Sequence, residues 1–436
     1  MENVLIFSYI AILLLVSLLS TRLMKVLKLP NVTGFIITGI IMGPYVFGAL
    51  FNNCSYEAIE ASPAVNIIDK ISWISTVALG FIAFSIGTSF KKQTIKTVGK
   101  RVLIITALEA IGASVFVLVA LLTAHYIAPE HISLELVLTL SAIASATAPA
   151  ATLMVIKQYR AKGPLVNTLL PVVALDDAVA LILFAILFQI ATGLASGGEL
   201  SFYKMIGKPL IEIAISIGIG IFLGVSISLL NKLFHSRNNK LVLCIFSIFA
   251  SIGLYVLFKQ DYMGSFELSS LLICMVSGAL FTNLVKDSNR TLDILDRFTS
   301  PIYMMFFVLS GASLNLTIFF DDQGRFNGII ILIAVIYLIF RVVGKYLGAF
   351  SGASISKCEP QVKKYLGLTL VPQAGVAIGL ATTANKLFKE YPETEEASAM
   401  ILAIVLTSTL IYELIGPLAS KLALSKAGEI DKDIPN

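Results

Sequence analysis

Long apolar segments recur along most of the chain and are separated by short polar connections. Most are long enough to cross a hydrocarbon core of ~30 Å at a rise of ~1.5 Å per residue. None shows the alternating pattern of a membrane β-strand, which excludes a β-barrel. The pattern therefore predicts an all-α polytopic membrane protein with thirteen transmembrane helices, at 4–20, 32–50, 66–89, 101–126, 133–156, 164–193, 206–231, 240–258, 266–284, 301–320, 326–353, 364–385 and 398–420.

The composition agrees with a membrane protein. Of the 436 residues, 57% are apolar and 14% are charged, whereas soluble domains carry roughly 25% charged residues. The net charge of +5 does not indicate nucleic-acid binding, because the basic residues lie in short loops. The cysteines have no metal-ligand spacing, so we expect free thiols and neither a disulfide nor a zinc site: Cys54, Cys244, Cys274 and Cys358.

Lysine and arginine concentrate in every second connection, for example at 22–28, 91–101 and 157–162. The positive-inside rule then places the N-terminus outside and the C-terminus in the cytoplasm of a multi-pass protein of the cell (inner) membrane. The first apolar segment lacks a basic start and a clear cleavage site, so we expect a retained helix and no secretory signal.

Two adjacent aspartates, Asp176 and Asp177, interrupt the apolar run LLPVVALDDAVALILFAI in the sixth predicted span. They lie about twelve residues, or ~18 Å, into it, near the middle of the membrane. A structural polar pair is one interpretation, but charges at this depth are costly and usually functional. Adjacent helical residues point about 100° apart, so one carboxylate can be held by a cation while the other lines a watery cavity. Competition there between a proton and a small cation is the minimal chemistry of a cation/proton exchanger.

The eleventh span contains two basic residues, Arg341 and Lys345, in YLIFRVVGKYLGAF. At i and i+4 they share one helix face, and they can supply the positive charge that such a carboxylate needs. Two alternatives stay open. Lys345 can extend outward to the membrane surface, and Arg341 can bond to carbonyls at helix ends.

Prolines fall inside two spans, Pro149 in LSAIASATAPAATL and Pro372 in LTLVPQAGVAIGLA. Each breaks its helix, the first near Thr147-Ala148, and the freed carbonyls can coordinate a cation where they line a cavity. A plain proline kink is the alternative. The two spans run in opposite directions, which is the arrangement of an inverted repeat with the site where its broken helices cross. Weaker candidates for the ion route are Glu109, Gln373 and Glu413.

Four motifs together resemble the monovalent cation/proton antiporter superfamily: TAPAAT, LDDAVALILF, RVVGKYLGA and VPQAGVAIGLA. The resemblance covers essentially the whole chain, and it is closest to the sodium/hydrogen exchanger branch with paired aspartates in the sixth of thirteen helices. It implies an inverted-repeat fold with two crossing broken helices. It also implies a transporter that is no enzyme and needs no cofactor beyond the transported Na⁺ or K⁺ and H⁺.

The resemblance also implies roles for residues. Asp177 would be the main carboxylate for the monovalent cation and the proton, and Thr147 would coordinate from the first broken helix. Asp176 would form a salt bridge with Lys345 that opens or exchanges protons as the cation binds. The pairing of aspartates with lysine suggests two protons per cation, so that an inside-negative potential drives sodium out.

Such proteins form homodimers in the lipid bilayer, with a mobile six-helix core that moves against a dimerisation part. The resemblance implies a dimerisation domain at 1–65 and 196–300, the latter with a linker helix, a core domain at 66–195 and 301–424, and a short cytoplasmic tail at 425–436. The chain departs from the branch of the animal exchangers, which has Asn-Asp at the paired position and acids where this chain has Val172 and Ala148. The glutamate partner expected for Arg341 is missing.

The sequence therefore favours a sodium (or lithium)/proton antiporter that works by elevator-type alternating access. A potassium/proton antiporter is the near alternative, because the same ligand types serve both ions. A sodium-coupled organic-anion symporter and a passive channel remain further classes. An intramembrane aspartyl protease is disfavoured, because its two carboxylates must face each other across a scissile bond.

Overall fold

The computed structural model describes residues 2–44, 46, 67–68, 70–88, 90, 92–130, 132–196, 207–234, 236–259, 268–286, 288–313, 328–388 and 395–430. In these residues the chain forms fifteen α-helices and no β-strand. They are α1 (Glu2–Leu27), α2 (Asn31–Met42), α3 (Trp73–Thr88), α4 (Lys92–Ile127), α5 (Leu134–Ile143), α6 (Pro149–Gln158), α7 (Pro164–Ser196), α8 (Lys208–Leu230), α9 (Arg237–Lys259), α10 (Ser270–Leu284), α11 (Ser288–Ala312), α12 (Gly328–Ile355), α13 (Pro360–Thr369), α14 (Gly375–Phe388) and α15 (Glu395–Lys426).

Seven of the described helices are long and apolar enough to cross a membrane: α1, α4, α7, α8, α9, α12 and α15. Shorter apolar helices, among them α2, α3, α5 and α10, account for further predicted segments. The prediction of an all-helical membrane protein is confirmed, whereas the count of thirteen spans stays a prediction.

Two predicted spans are each divided into two helices. The segment 133–156 becomes α5 and α6, and the segment 364–385 becomes α13 and α14, with the interruptions where the prolines predicted them. Helix α11 begins at Ser288, before the start of the span predicted at 301–320. Its first turns carry three charged residues, Arg290, Asp293 and Arg297, so these turns do not form part of an apolar segment.

The chain folds into two compact units, each built from two stretches of sequence. The first comprises residues 1–99 and 210–314, and the second comprises residues 100–209 and 315–436. Residues 66–99 and 301–314, expected in the transport core, thus belong to the first unit. The dimerisation and transport roles of the two predicted parts remain predictions.

In the first unit, helices approach one another at glycines. A Cβ on Gly311 of α11 would collide with the carbonyl of Ile36 in α2, and a Cβ on Gly278 of α10 would collide with the carbonyl of Phe84 in α3. Small residues allow such backbone approach where lipid replaces water outside the protein. Cys244 and Cys274, in this unit, and Cys358 are buried free thiols, while Cys54 lies outside the described residues.

In the second unit, α7 and α15 hold the interrupted helices. Helix α7 packs against α5, α6, α13 and α14, and α15 packs against the same four and against α12. The shared core is apolar and includes Leu140, Phe184, Tyr337 and Ile404. Every charged or polar candidate named from the sequence lies in this unit.

Candidate ion-binding site

The first interruption lies between α5 and α6. Helix α5 ends at Ile143, and α6 restarts at Pro149, whose missing N–H is harmless at the first helical position. Ala148 between them is extended, with φ −100° and ψ 113°. The carbonyls at the end of α5 therefore lack helical partners and must find others, because an unsatisfied carbonyl in a membrane interior costs several kcal/mol, to order of magnitude.

The second interruption lies between Thr369 at the end of α13 and Gly375 at the start of α14. The backbone N–H of Ala148 donates to the carbonyl of Pro372 at 2.9 Å, so the two interruptions contact each other directly. The hydroxyl of Thr152 adds a bond to the carbonyl of Thr369 at 3.0 Å. The two unwound segments thus support one another.

Arg341 joins both interruptions. Its guanidinium donates to the carbonyls of Ala144 at 3.0 Å and Ala146 at 2.7 Å, after α5, and to that of Val371 at 2.8 Å, after α13. It also lies over the ring of Tyr412, 4.5 Å from the centroid, and is fully buried. Of the two interpretations left open, these are the contacts of a cation that bonds to helix-end carbonyls, where the helix dipole favours positive charge.

Gln373 is the other polar link at this point. Its amide donates to the carbonyl of Ile143 at 3.0 Å, and it exchanges a hydrogen bond with the hydroxyl of Tyr337 at 2.9 Å. Its side chain is therefore bound to the end of α5 and to α12. This leaves Gln373 as a structural partner of the interruptions in the state described.

Lys345 lies one turn after Arg341 and is also fully buried. Its ammonium contacts Asp176 Oδ2 at 3.1 Å, Glu109 Oε2 at 2.6 Å and the carbonyl of Ser145 at 2.5 Å. The pair of Lys345 with Asp176 that the resemblance implied is present. Glu109, a weak candidate from the sequence, is the nearer carboxylate, so the lysine does not extend to the membrane surface.

The contact of Glu109 with Lys345 depends on close packing of α4 against α12. A Cβ on Gly344 would lie 2.5 Å from the carbonyl of Gly112, and a Cβ on Gly348 would collide with the carbonyl of Leu108. The glycines thus let the two backbones touch. This touching places the carboxylate of α4 at the lysine of α12.

Asp177 and Thr147 differ from these bonded residues. Asp177 Oδ1 and Thr147 Oγ1 are buried, and neither has a hydrogen-bond partner among the described residues. Asp176 is 0% exposed, whereas Asp177 keeps 7%. Buried polar atoms are nearly always partnered, so each of these two oxygens is a candidate ligand for a cation, although further buried oxygens of the described residues, such as Thr139 Oγ1 and Ser408 Oγ, also lack a partner.

The charges of this cluster do not balance. Glu109, Asp176 and Asp177 contribute three carboxyl groups, while Lys345 contributes one ammonium, and Arg341 bonds to carbonyls. Uncompensated buried carboxylates are unfavourable, so the surplus must be neutralised by protons or by a bound cation. The arrangement can therefore exchange one for the other.

The comparison with known families settles the class of protein. The sequence pattern of the family described as "Sodium/hydrogen exchanger, transmembrane" matches residues 10–421. The chain belongs to the sodium/hydrogen exchanger family. This exchanger is therefore a multi-pass cation/proton antiporter, is not an enzyme and needs no cofactor, since the ions are its substrates. A comparison with curated proteins finds no match.

Solved structures share the fold of this exchanger. A structure of the sodium proton antiporter MjNhaP1 from Methanocaldococcus jannaschii at pH 8 aligns with a TM-score of 0.63 at 20% identity, over 98% of this chain and 100% of that chain. An electron-microscopy structure of MjNhaP1 aligns with a TM-score of 0.72 at 17% identity, over 99% and 100%. At these identities the likeness concerns the fold.

Two tyrosines of the exchanger site were missed from the sequence. Tyr337 precedes Arg341 and Lys345 by four and eight residues, so helical spacing alone could have assigned it to their face. No comparable spacing pointed to Tyr412.

Glu413, a predicted ion-route residue next to Tyr412, is buried on α15. None of the hydrogen bonds or ion pairs described above includes it.

We expect Glu109 and Asp176 to act together on Lys345. Either Glu109→Gln or Asp176→Asn leaves the lysine one carboxylate, whereas both changes leave a buried ammonium with neutral acceptors only. The double variant should lose about 1–3 kcal/mol more stability than the sum of the single variants. Thermal unfolding of the purified exchanger in detergent measures this, and strictly additive losses would argue against a shared lysine.

Proposed function

We propose that this exchanger is a secondary active antiporter that exchanges protons for sodium or lithium. The observation that carries the proposal is the pair of unpartnered buried oxygens, Asp177 Oδ1 and Thr147 Oγ1, next to a cluster with surplus carboxyl groups. Helix α7, which bears Asp177, packs against both halves of the interrupted helix that bears Thr147. An alkali ion bound there replaces the proton that otherwise neutralises Asp177.

In this proposal each residue has a separate task. Asp177 binds the cation or the proton, and Thr147 adds a neutral oxygen ligand. Lys345 passes from Asp176 to Glu109 when a cation arrives, because the two carboxylates already share its ammonium. Arg341 and Gln373 hold the unwound segments in place, and Glu413 is a further acid on the route of the ion.

We further propose two protons per cation, elevator-type alternating access and a homodimer in the inner membrane, with the N-terminus outside. The thirteen spans, crossing broken helices and predicted domain roles belong to the same proposal. One net positive charge then enters per cycle. Its movement is worth about 2.3 kcal/mol per 100 mV.

Proteoliposomes test the proposal directly. With a pH dye inside, addition of Na⁺ or Li⁺ should move protons in the opposite direction, and an imposed membrane potential should change the rate. Exchange with K⁺ at an equal or greater rate would replace sodium by potassium in the proposal. A rate that is indifferent to voltage would contradict the stoichiometry, and uptake of a labelled organic anion without proton movement would contradict antiport itself.

A further inference from the structure

Helix α7, which bears the aspartate pair, receives its N-terminal cap from the far end of the chain. Gly163 before it has no side chain with which to cap, and Pro164 has no N–H. The N–H groups of Leu165 and Val166 donate to the carboxylate of Glu429 at 2.6 and 3.0 Å, 264 and 263 residues away. A carboxylate at this position satisfies orphan N–H groups and complements the helix dipole.

The end of α15 places this carboxylate. The chain turns at Gly428, whose φ of +73° lies in the left-handed region that favours glycine. The N–H of Glu429 then donates to the carbonyl of Leu424 at 3.0 Å, and the carbonyl of Glu429 accepts from the N–H of Lys162 at 2.9 Å. Glu429 is 6% exposed, so its bonds are shielded from water.

The sequence leaves room for this contact at Gly163. A Cβ built there would overlap the carboxyl group of Glu429. We call the bonded set Lys162–Val166 with Gly428 and Glu429 the α7–α15 clasp. It has two buried bonds from backbone N–H groups to a charged group and one backbone–backbone bond from the exposed residue Lys162.

Both ends of the clasp lead to the ion site. On one side, α7 continues through Pro171, which cannot donate to the preceding turn, to Asp176 and Asp177. On the other side, α15 packs against both interruptions. Gly416 lies so close to Pro372 that a Cβ would be 2.6 Å from its ring, and Ser420 shares a hydrogen bond with Thr152 at 3.2 Å.

We propose that Glu429 is a positioning residue for ion binding, because the clasp fixes the start of α7 to the helix that holds the interruptions. The proposal rests on the proposed function. It makes the clasp responsible for the height of Asp177 relative to Thr147, because α7 runs as one helix from the capped N–H groups of Leu165 and Val166 to Asp177.

The test compares Glu429→Gln with Glu359→Gln in proteoliposomes. Glu359 is the residue directly before α13, is exposed and makes no side-chain cap bond, so its variant should behave as wild type. Glu429→Gln should raise the half-saturating sodium concentration about tenfold, since small displacements of reacting groups have effects of this size or larger. Gly163→Ala should give the same shift, and the double variant should add little.

A merely structural role would lower the amount of folded protein and the maximal rate together. An unchanged half-saturating sodium concentration in both variants would therefore overturn the proposal. If the wild type itself exchanges no ions, the proposed function fails, and hydrogen–deuterium exchange decides the clasp separately. Glu429→Gln should then raise exchange across residues 172–180, and unchanged exchange there would overturn the positioning role.

Discussion

Asp177→Asn is expected to reduce sodium/proton exchange by about 100-fold or more. The amide keeps the shape of the carboxyl group but can neither carry the proton nor offer a charged ligand, and loss of a charged partner is worth about 2–3 kcal/mol. The protein should remain folded, because Asp177 Oδ1 makes no hydrogen bond to a described residue that the substitution could break. Dye-based exchange in proteoliposomes measures the rate, and thermal unfolding measures the stability.

The matched control is Asp293→Asn on α11, since Asp293 is exposed and lies in the other unit. It should exchange ions at the wild-type rate. Retention of wild-type exchange by Asp177→Asn would show that the proton and the cation use another group. Glu413 would then be the first acid to replace by glutamine.

The sequence allowed the fold class and the helix interruptions to be predicted, because each rests on a local property. Apolar length defines a membrane helix, and Pro149 and Pro372 remove backbone donors wherever the chain leads. The aspartate pair could be found in the same way, since two adjacent acids in an apolar segment are energetically costly and therefore indicate a function. The start of α11 could not, because Arg290, Asp293 and Arg297 make its first turns polar.

The partners of the charged residues could be predicted only in part, since the resemblance implied the pair of Lys345 with Asp176 but not the contact of Lys345 with Glu109. Whether Lys345 contacts Glu109 depends on how closely α4 approaches α12, and the glycines that allow this approach, Gly112, Gly344 and Gly348, reveal it only once the helices are packed. The clasp of Glu429 was hidden for a similar reason. It joins the start of one apolar segment to a polar stretch that follows the last one, and a single acid in such a stretch resembles any solvated residue.

The interruptions also explain why backbone carbonyl and N–H groups form a large part of the site. Two unwound segments that contact each other bring carbonyls and N–H groups into the interior of the second unit, where unsatisfied backbone groups are costly. Arg341, Gln373 and the bond from Ala148 to Pro372 satisfy these groups within the protein. Asp177 Oδ1 and Thr147 Oγ1 are among the buried oxygens of the described residues that lack such bonds, so the residues that hold the unwound segments differ from the two that we propose as ion ligands.

Arg341→Met should therefore destabilise the protein strongly and independently of transport. Methionine is about as long but donates no hydrogen bond, so the carbonyls of Ala144, Ala146 and Val371 lose their partner in a buried place. Removing one partner from a buried charged network costs about 3–5 kcal/mol. The thermal unfolding midpoint in detergent should fall sharply, and the yield of folded protein should fall with it.

Arg341→Lys should recover little, because one ammonium cannot reproduce the three directed bonds of the guanidinium. Arg297→Met is the control, since Arg297 is exposed and its loss should leave the midpoint unchanged. If Arg341→Met unfolds at the wild-type temperature but no longer exchanges ions, the arginine serves the ions directly. The unwound segments would then be held by Gln373 and by their own backbone bond.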